Sequence, residues 1–197
     1  SDDLGRTWGD PIPMPDEWFT SEGGLAFAPD GALVTALRTG PEPVLFDELD
    51  EPSEELVGYN DHWRRITTAR SPDGGKTWTH HQVHFDYGKV HGELLTLANG
   101  DILMTYAVRM GELDGQMYHG IEAVLSHDHG RTWDWDNRFI LFRWPMNQLM
   151  HSPVSVPISD GRILTMLFYS YNATYGQGSI GVQSLGLVSA AFWTPYP

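Results

Sequence analysis

The sequence predicts an all-β fold built from several short antiparallel sheets, and three observations carry the prediction. An octet of the pattern S-x-D-x-G-[RK]-T-W occurs three times, at Ser1–Trp8, Ser71–Trp78 and Ser126–Trp133. A strand, a D-G or N-G turn and a second strand also recur, with turn glycines at Gly31, Gly100 and Gly161. The 21 Gly, 13 Pro and 12% aromatic residues among 197 suit short strands joined by tight turns.

The octet has a readable physics. Asp3, Asp73 and Asp128 are placed to accept hydrogen bonds from backbone N–H groups of a turn, while Gly5, Gly75 and Gly130 supply the positive φ. Trp8, Trp78 and Trp133 restart a strand and are expected in the core. Each octet is therefore a hairpin corner with a structural role. The octet serines step by 70 and 55 residues and the turn glycines by 69 and 61, in the same order along the chain. A period of this size, holding four short strands, is one blade of a β-propeller with long loops. Residues 1–20 then close a preceding blade, 21–89 and 90–150 form two blades, and 151–197 form most of a third. That third blade lacks its octet, because Ser184–Trp193 contains neither the Asp nor Thr-Trp.

The octets resemble the Asp-box, or BNR repeat, of sialidase-like β-propellers. The chain is most similar to bacterial sialidase-family proteins of unassigned substrate, through Tyr106, Arg109, Gly120-Ile121, Ser152-Pro153 and the run from Asp160 to Thr165. The resemblance implies about three blades of a six-bladed propeller, with the octets on the outer rim away from substrate. Three blades cannot close such a ring. The chain is expected either to be part of a longer protein, the favoured reading, or to pair with a second copy.

Composition narrows the function. The chain has 12 Lys and Arg against 26 Asp and Glu, a net charge of −14, which argues against nucleic acid as a partner. No window approaches the run of about 18 apolar residues that a membrane helix needs, so no membrane anchoring is expected. Without Cys, neither disulfides nor thiolate metal sites can form. Because the chain opens inside a motif at Ser1, its natural N-terminus is expected to lie upstream, and secretion or a periplasmic location is the expectation.

Two polar segments, Thr39–Trp63 and Met110–Gly120, read as long loops of the kind that bind or cover ligands. In the family resembled, a Tyr activated by a Glu attacks the sugar, an Asp protonates the leaving group, and Arg residues hold the substrate carboxylate. A neutral phenol can approach an anionic sugar, and the planar fork of Arg binds both carboxylate oxygens. The resemblance places the activating Glu at Glu93 and one Arg at Arg109, 16 residues on and around the same strand-turn-strand. Both are expected at the axis-side ends of adjacent strands, although an ion pair within one blade would also fit. Asp61 is the candidate acid, and Tyr169 or Tyr171 the candidate nucleophile. Ser21 and Glu22 stand where the family's first Arg is expected, and no Arg lies between Phe168 and Tyr175, where its third is expected. Arg38, beyond the turn, could still line the cleft.

His91 and His151 start equivalent inner strands, and His119 lies on the second long loop; all three are candidates for proton transfer or sugar binding. Their spacing lacks a metal-ligand pattern, and neither metal nor other cofactor is expected. Trp63, Trp144 and Tyr118 could stack on sugar rings or simply pack. The reading is a glycoside hydrolase acting on an acidic glycan at the propeller axis. The alternatives are a non-catalytic propeller binding glycan or protein, and a lyase using His119 with Arg109.

Overall fold

The computed structural model describes residues 1, 3–15, 20–39, 64–79, 82–85, 87–144, 148–150, 152–171 and 185–196; for 148–150, 169–171 and 185–187 it describes the backbone alone. Those residues form three antiparallel sheets, with one 3-10 turn at Trp135–Asn137 and no α-helix. The first sheet is β1 (Thr20–Phe27), β2 (Leu33–Thr39), β3 (Arg65–Ser71) and β4 (Gln82–Val83), paired in that order. The second, β5 (Lys89–Thr96), β6 (Ile102–Leu113), β7 (Gln116–Ser126) and β8 (Phe139–Trp144), repeats the order. In the third, β11 (Ile163–Tyr171) lies between β12 (Leu185–Trp193) and an interrupted partner made of β9 (Gln148–Met150) and β10 (Val154–Pro157). This sheet begins at Gln148, three residues ahead of the boundary expected from sequence. The arrangement is part of a β-propeller.

The octets behave as corners. In all three, the Ser hydroxyl donates to the Asp carboxylate at 2.9 Å and accepts the Gly N–H at 2.8 Å. The Thr N–H donates to the same carboxylate at 2.8 Å, and the Thr hydroxyl adds a bond of 2.6 to 2.7 Å. These bonds hold the carboxyls of Asp3 (first through the Thr7 N–H) and Asp73 (first through the Thr77 hydroxyl) down at about 2. Ser71 pairs with Leu33 and Ser126 with Ile102, so both octets share an end of their sheets with the hairpin turns.

Successive sheets pack face to face because alternate residues of each strand point to opposite neighbours. Val34, Ala36 and Ile66 of the first sheet meet Ile102, Met104, Tyr106, Val124 and Trp133 of the second. The second turns Val90, Leu103, Ala107, Ile121 and Ala123 toward Ile163 and Leu167 of the third. Gly130 packs on Val34, which seats the second octet on the first sheet. The three octet tryptophans do not share the core position expected of them. Trp133 is 7% exposed, Trp78 is half-buried, and Trp8 is 79% exposed, since no described sheet lies against the first octet.

At the axis the innermost strands crowd. A Cβ on Gly24 of β1 would stand 2.7 Å from Leu94 N, 2.9 Å from Glu93 Cα and 2.9 Å from Gly92 O, all backbone atoms of β5. Gly24→Val is therefore expected to push two sheets apart, at a cost of about 3 kcal/mol. An unchanged urea midpoint would show that the strands do not meet there.

Candidate functional site

Strand polarity decides which end can be a site. β1 runs toward the hairpin turn and β2 returns, so the end away from the octets carries Thr20 to Glu22, Arg38, Thr39 and Arg65. The second sheet brings Lys89, His91 and Arg109 there, and the third brings the backbone of Tyr169–Tyr171 with that of Gln148–Met150. The first strand of each sheet is irregular at this end. β1 shifts register between Thr20 and Gly23, β5 shifts between Val90 and Glu93, and the third sheet's first strand breaks between Met150 and Val154. His91 sits in its irregularity with φ 56°, a left-handed conformation that is uncommon for His.

These irregularities bring charged side chains together. Glu22 Oε2 lies 3.1 Å from Arg38 Nη2 and 3.2 Å from His91 Nδ1. Arg38 Nε also donates to Ser21 Oγ at 3.1 Å. Arg38 and His91 are mostly buried, with side chains 15% and 8% exposed, whereas Glu22 is 58% exposed. Glu93 follows two residues after His91, half-buried on the innermost strand. Burial pushes its carboxyl above the ordinary range, and the charge of nearby His91 opposes that in part. The protonated acid is thus the form that the fold favours. Its contribution to stability is present at low pH and lost as pH rises through the raised value.

Several expectations change. Glu93 pairs with Thr105, while the Arg109 N–H reaches the Gly88 carbonyl at 2.7 Å, so Arg109 stands four positions along β6 from the partner of Glu93, and the nearby charge acting on Glu93 is His91. Arg109 is 3% exposed. Met110–Gly120 is not a loop, because the β6–β7 ladder continues to Leu113↔Gln116 and turns over Asp114 and Gly115. His119 is consequently a strand residue, 4% exposed, on the same face as Ile121 and turned toward the third sheet. Tyr118 is 2% exposed, and its hydroxyl donates to Glu122, so it presents no ring to a ligand. Trp144 stacks on Phe142 with ring centroids 5.3 Å apart. Asp61, Trp63 and His151 lie outside the described residues.

The sequence reading gives no role to two acidic residues that the structure engages. Glu22 stands nine residues before Gly31, the offset that His91 keeps from Gly100, and that shared offset was the available signal. Glu122 is 1% exposed between the first and second sheets and accepts hydrogen bonds from Tyr106 Oη at 2.5 Å and from Tyr118 Oη. Its signal was a lone charge in the run from Gly120 to Ser126. Arg138 Nε lies 3.4 Å from Glu122. Lys89 lies over the Phe85 ring at 4.5 Å, and desolvation lowers its pKa although the charge of Glu122 acts the other way. Among the described residues, no three His, Asp or Glu side chains cluster so as to hold a metal ion.

No protein-family model matches the chain, and no curated protein does. Its fold is similar to that of a protein of unknown function from Dyadobacter fermentans DSM 18053, with a TM-score of 0.51 and 16% identity over 92% of this chain and 56% of that one. It is also similar to the α-L-arabinanase of Penicillium chrysogenum complexed with arabinobiose, with a TM-score of 0.50 and 18% identity over 79% of this chain and 43% of that one. The chain thus spans about half the length of these solved structures. At such identities the likeness concerns the fold, and the shared architecture is that of a propeller.

Proposed function

We propose that this protein hydrolyses glycosidic bonds, in a glycan bound across the axis-side ends of β1, β2, β5 and β6. The observation that carries the reading is the placing of two differently exposed carboxyls on neighbouring innermost strands, with His91 ion-paired to one and acting by its charge on the other. Glu93 is half-buried and shifted toward its protonated form, while Glu22 is exposed and ion-paired to Arg38. Glycoside hydrolysis needs such an asymmetry, with one carboxylic acid to protonate the leaving oxygen and other groups to support the developing oxocarbenium charge. Glu93 is then the proton donor, a change from the activating role that the family resemblance implied. Arg38 and His91 orient sugar hydroxyls from the rim of the cluster. Arg109, His119, Tyr169 and Tyr171 belong to the same end, with Asp61 and His151 as further candidates.

The propeller likeness, which includes an α-L-arabinanase, supports hydrolysis as the reaction class. Arg38 is already engaged by Glu22, which favours a neutral sugar such as arabinan over the acidic sugar of the sialidase-like, Asp-box reading. The test is release of reducing ends by the protein from a panel holding arabinan, sialylated glycans and neutral hexose polymers. Cleavage of arabinan is expected. Cleavage confined to sialylated glycans would restore the acidic-sugar reading, and binding without cleavage of any member would leave a non-catalytic glycan-binding propeller.

A further inference from the structure

A crevice opens between the first two sheets at the octet end, opposite the carboxyl cluster. Thr68 and Arg70 of β3 share the strand face of Ile66, which packs against the second sheet. The second octet comes down on the same sheet where Gly130 packs on Val34. Thr68, Arg70, Thr79, Gln82, Gly130 and Arg131 line the space between, whose volume is about 110 Å³. That is several times what one water requires and well below the roughly 300 to 1,000 Å³ of a pocket for a drug-sized ligand. It suits an ion, or one charged group of a larger molecule.

Positive charge gathers beside this crevice in a chain where it is scarce. The chain has 12 Lys and Arg against 26 Asp and Glu, yet two guanidiniums and an imidazole converge on the single carboxylate of Asp30. Arg70 Nη2 bonds to Asp30 Oδ2, Arg131 Nη2 lies 3.0 Å from the same oxygen, and His129 Nδ1 lies 3.3 Å from it. Burial pushes the Asp30 carboxyl up, but the Ala32 N–H, His129, Arg131 and Arg70 together hold it well below the usual carboxylate range. Asp30 therefore stays ionised and fixes both guanidiniums in place. The other nearby carboxylate, Asp128, is engaged within its own octet by Ser126, Thr132 and the Arg131 N–H.

Donors remain after these contacts. Arg70 gives Nη2 to Asp30 and Nε to the His129 carbonyl at 3.1 Å, while Arg131 gives Nη2 to Asp30 and Nη1 to the Asp128 carbonyl at 2.7 Å. Thr79 Oγ1 accepts the Arg70 N–H at 3.0 Å. Among the described residues, Arg70 Nη1, Arg131 Nε, the Thr79 hydroxyl and the Gln82 amide donate to no group of the chain.

We propose that this crevice binds an oxyanion, a sulfate or phosphate group, through Arg70, Arg131, the Thr79 hydroxyl and the Gln82 amide. Donors from separate chain segments suit an anion whose oxygens point in several directions, and hydrogen bonds from guanidinium to oxyanion are of the strong, charge-assisted kind. Because the walls come from the first sheet and the second octet, the anion joins the two, and its binding stabilises the folded chain.

Calorimetric titration of the 197-residue chain with sodium sulfate, in chloride buffer at constant ionic strength, tests this while screening stays fixed. Saturable binding at one site is expected, with a Kd of about 1 mM. Arg131→Gln changes a side chain that is 52% exposed, and it is expected to weaken binding about tenfold with an unchanged circular dichroism spectrum. Arg70→Lys keeps the charge but loses the planar fork and is expected to weaken binding similarly. Arg162→Gln removes an equal charge from the third sheet and is expected to leave the Kd unchanged. Inorganic phosphate and glucose 6-sulfate separate the sources of the group: tighter binding of the ester means that it arrives on a sugar, and equal or weaker binding means that the free ion is the ligand. No saturable binding, a Kd that Arg131→Gln leaves intact, or an equal weakening by Arg162→Gln would each overturn the proposal.

Discussion

Glu93→Gln is expected to lower kcat/KM for glycan cleavage by about 10² to 10⁴, the span that positioned proton transfer contributes. The amide keeps the size of the side chain and its place on β5 but has no acidic proton to give to the leaving oxygen. Burial holds the carboxyl above its ordinary range, so the acid stays protonated over a wider span of pH than an exposed Glu would. The alkaline limb of the rate profile is therefore expected to follow Glu93 and to vanish from the residual activity of the variant. The folded state of the variant is expected to gain stability at neutral pH, since Gln needs no charge-bearing desolvation there. Undiminished turnover, with the alkaline limb intact, would remove Glu93 from the chemistry.

A large effect on stability is expected from Glu122→Ala. Its carboxylate is the acceptor for two buried phenols, Tyr106 and Tyr118, which are 0% and 2% exposed. Deletion leaves both hydroxyls in the wedge between the first and second sheets without that acceptor, and it leaves Lys89 without the carboxylate that offsets its desolvation. A loss of about 3 kcal/mol is expected, read as a lowered urea midpoint. Arg138 adds little to this figure because its side chain is 39% exposed. Glu122→Gln keeps an oxygen acceptor and is expected to cost less. Burial, together with the Glu122 charge, pushes both phenols above their usual range, so they remain donors until strongly alkaline pH. A midpoint equal to that of the native protein would show that the carboxylate is not what ties the sheets together.

The parts of the fold legible in the sequence are those written in local bonds. Each octet closes on itself through a Ser, an Asp, a Gly and a Thr within seven residues, so its geometry repeats whether its Trp is buried, as Trp133 is, or exposed, as Trp8 is. Hairpin turns at Gly31, Gly100 and Gly161 are local in the same sense, each with positive φ. The Trp environment is not local, because it depends on whether a neighbouring sheet arrives. The Met110–Gly120 segment departs from its sequence expectation for a related reason. Its polar residues suggest a loop, but the ladder of β6 and β7 continues through them to the two-residue turn at Asp114 and Gly115.

The candidate site divides in the same way. The sequence by itself determined that the protein is all-β and that its sheets repeat, because turns, alternation and spacing are properties of neighbouring residues. Only the tertiary structure decided that Glu22 joins Arg38 to His91, that Arg109 stands four residues from the partner of Glu93, and that Glu122 is buried between sheets. The physical reason is that a register shift of one or two residues in an innermost strand redirects every side chain beside it. Which charges then meet is set by the neighbouring sheet packed against it.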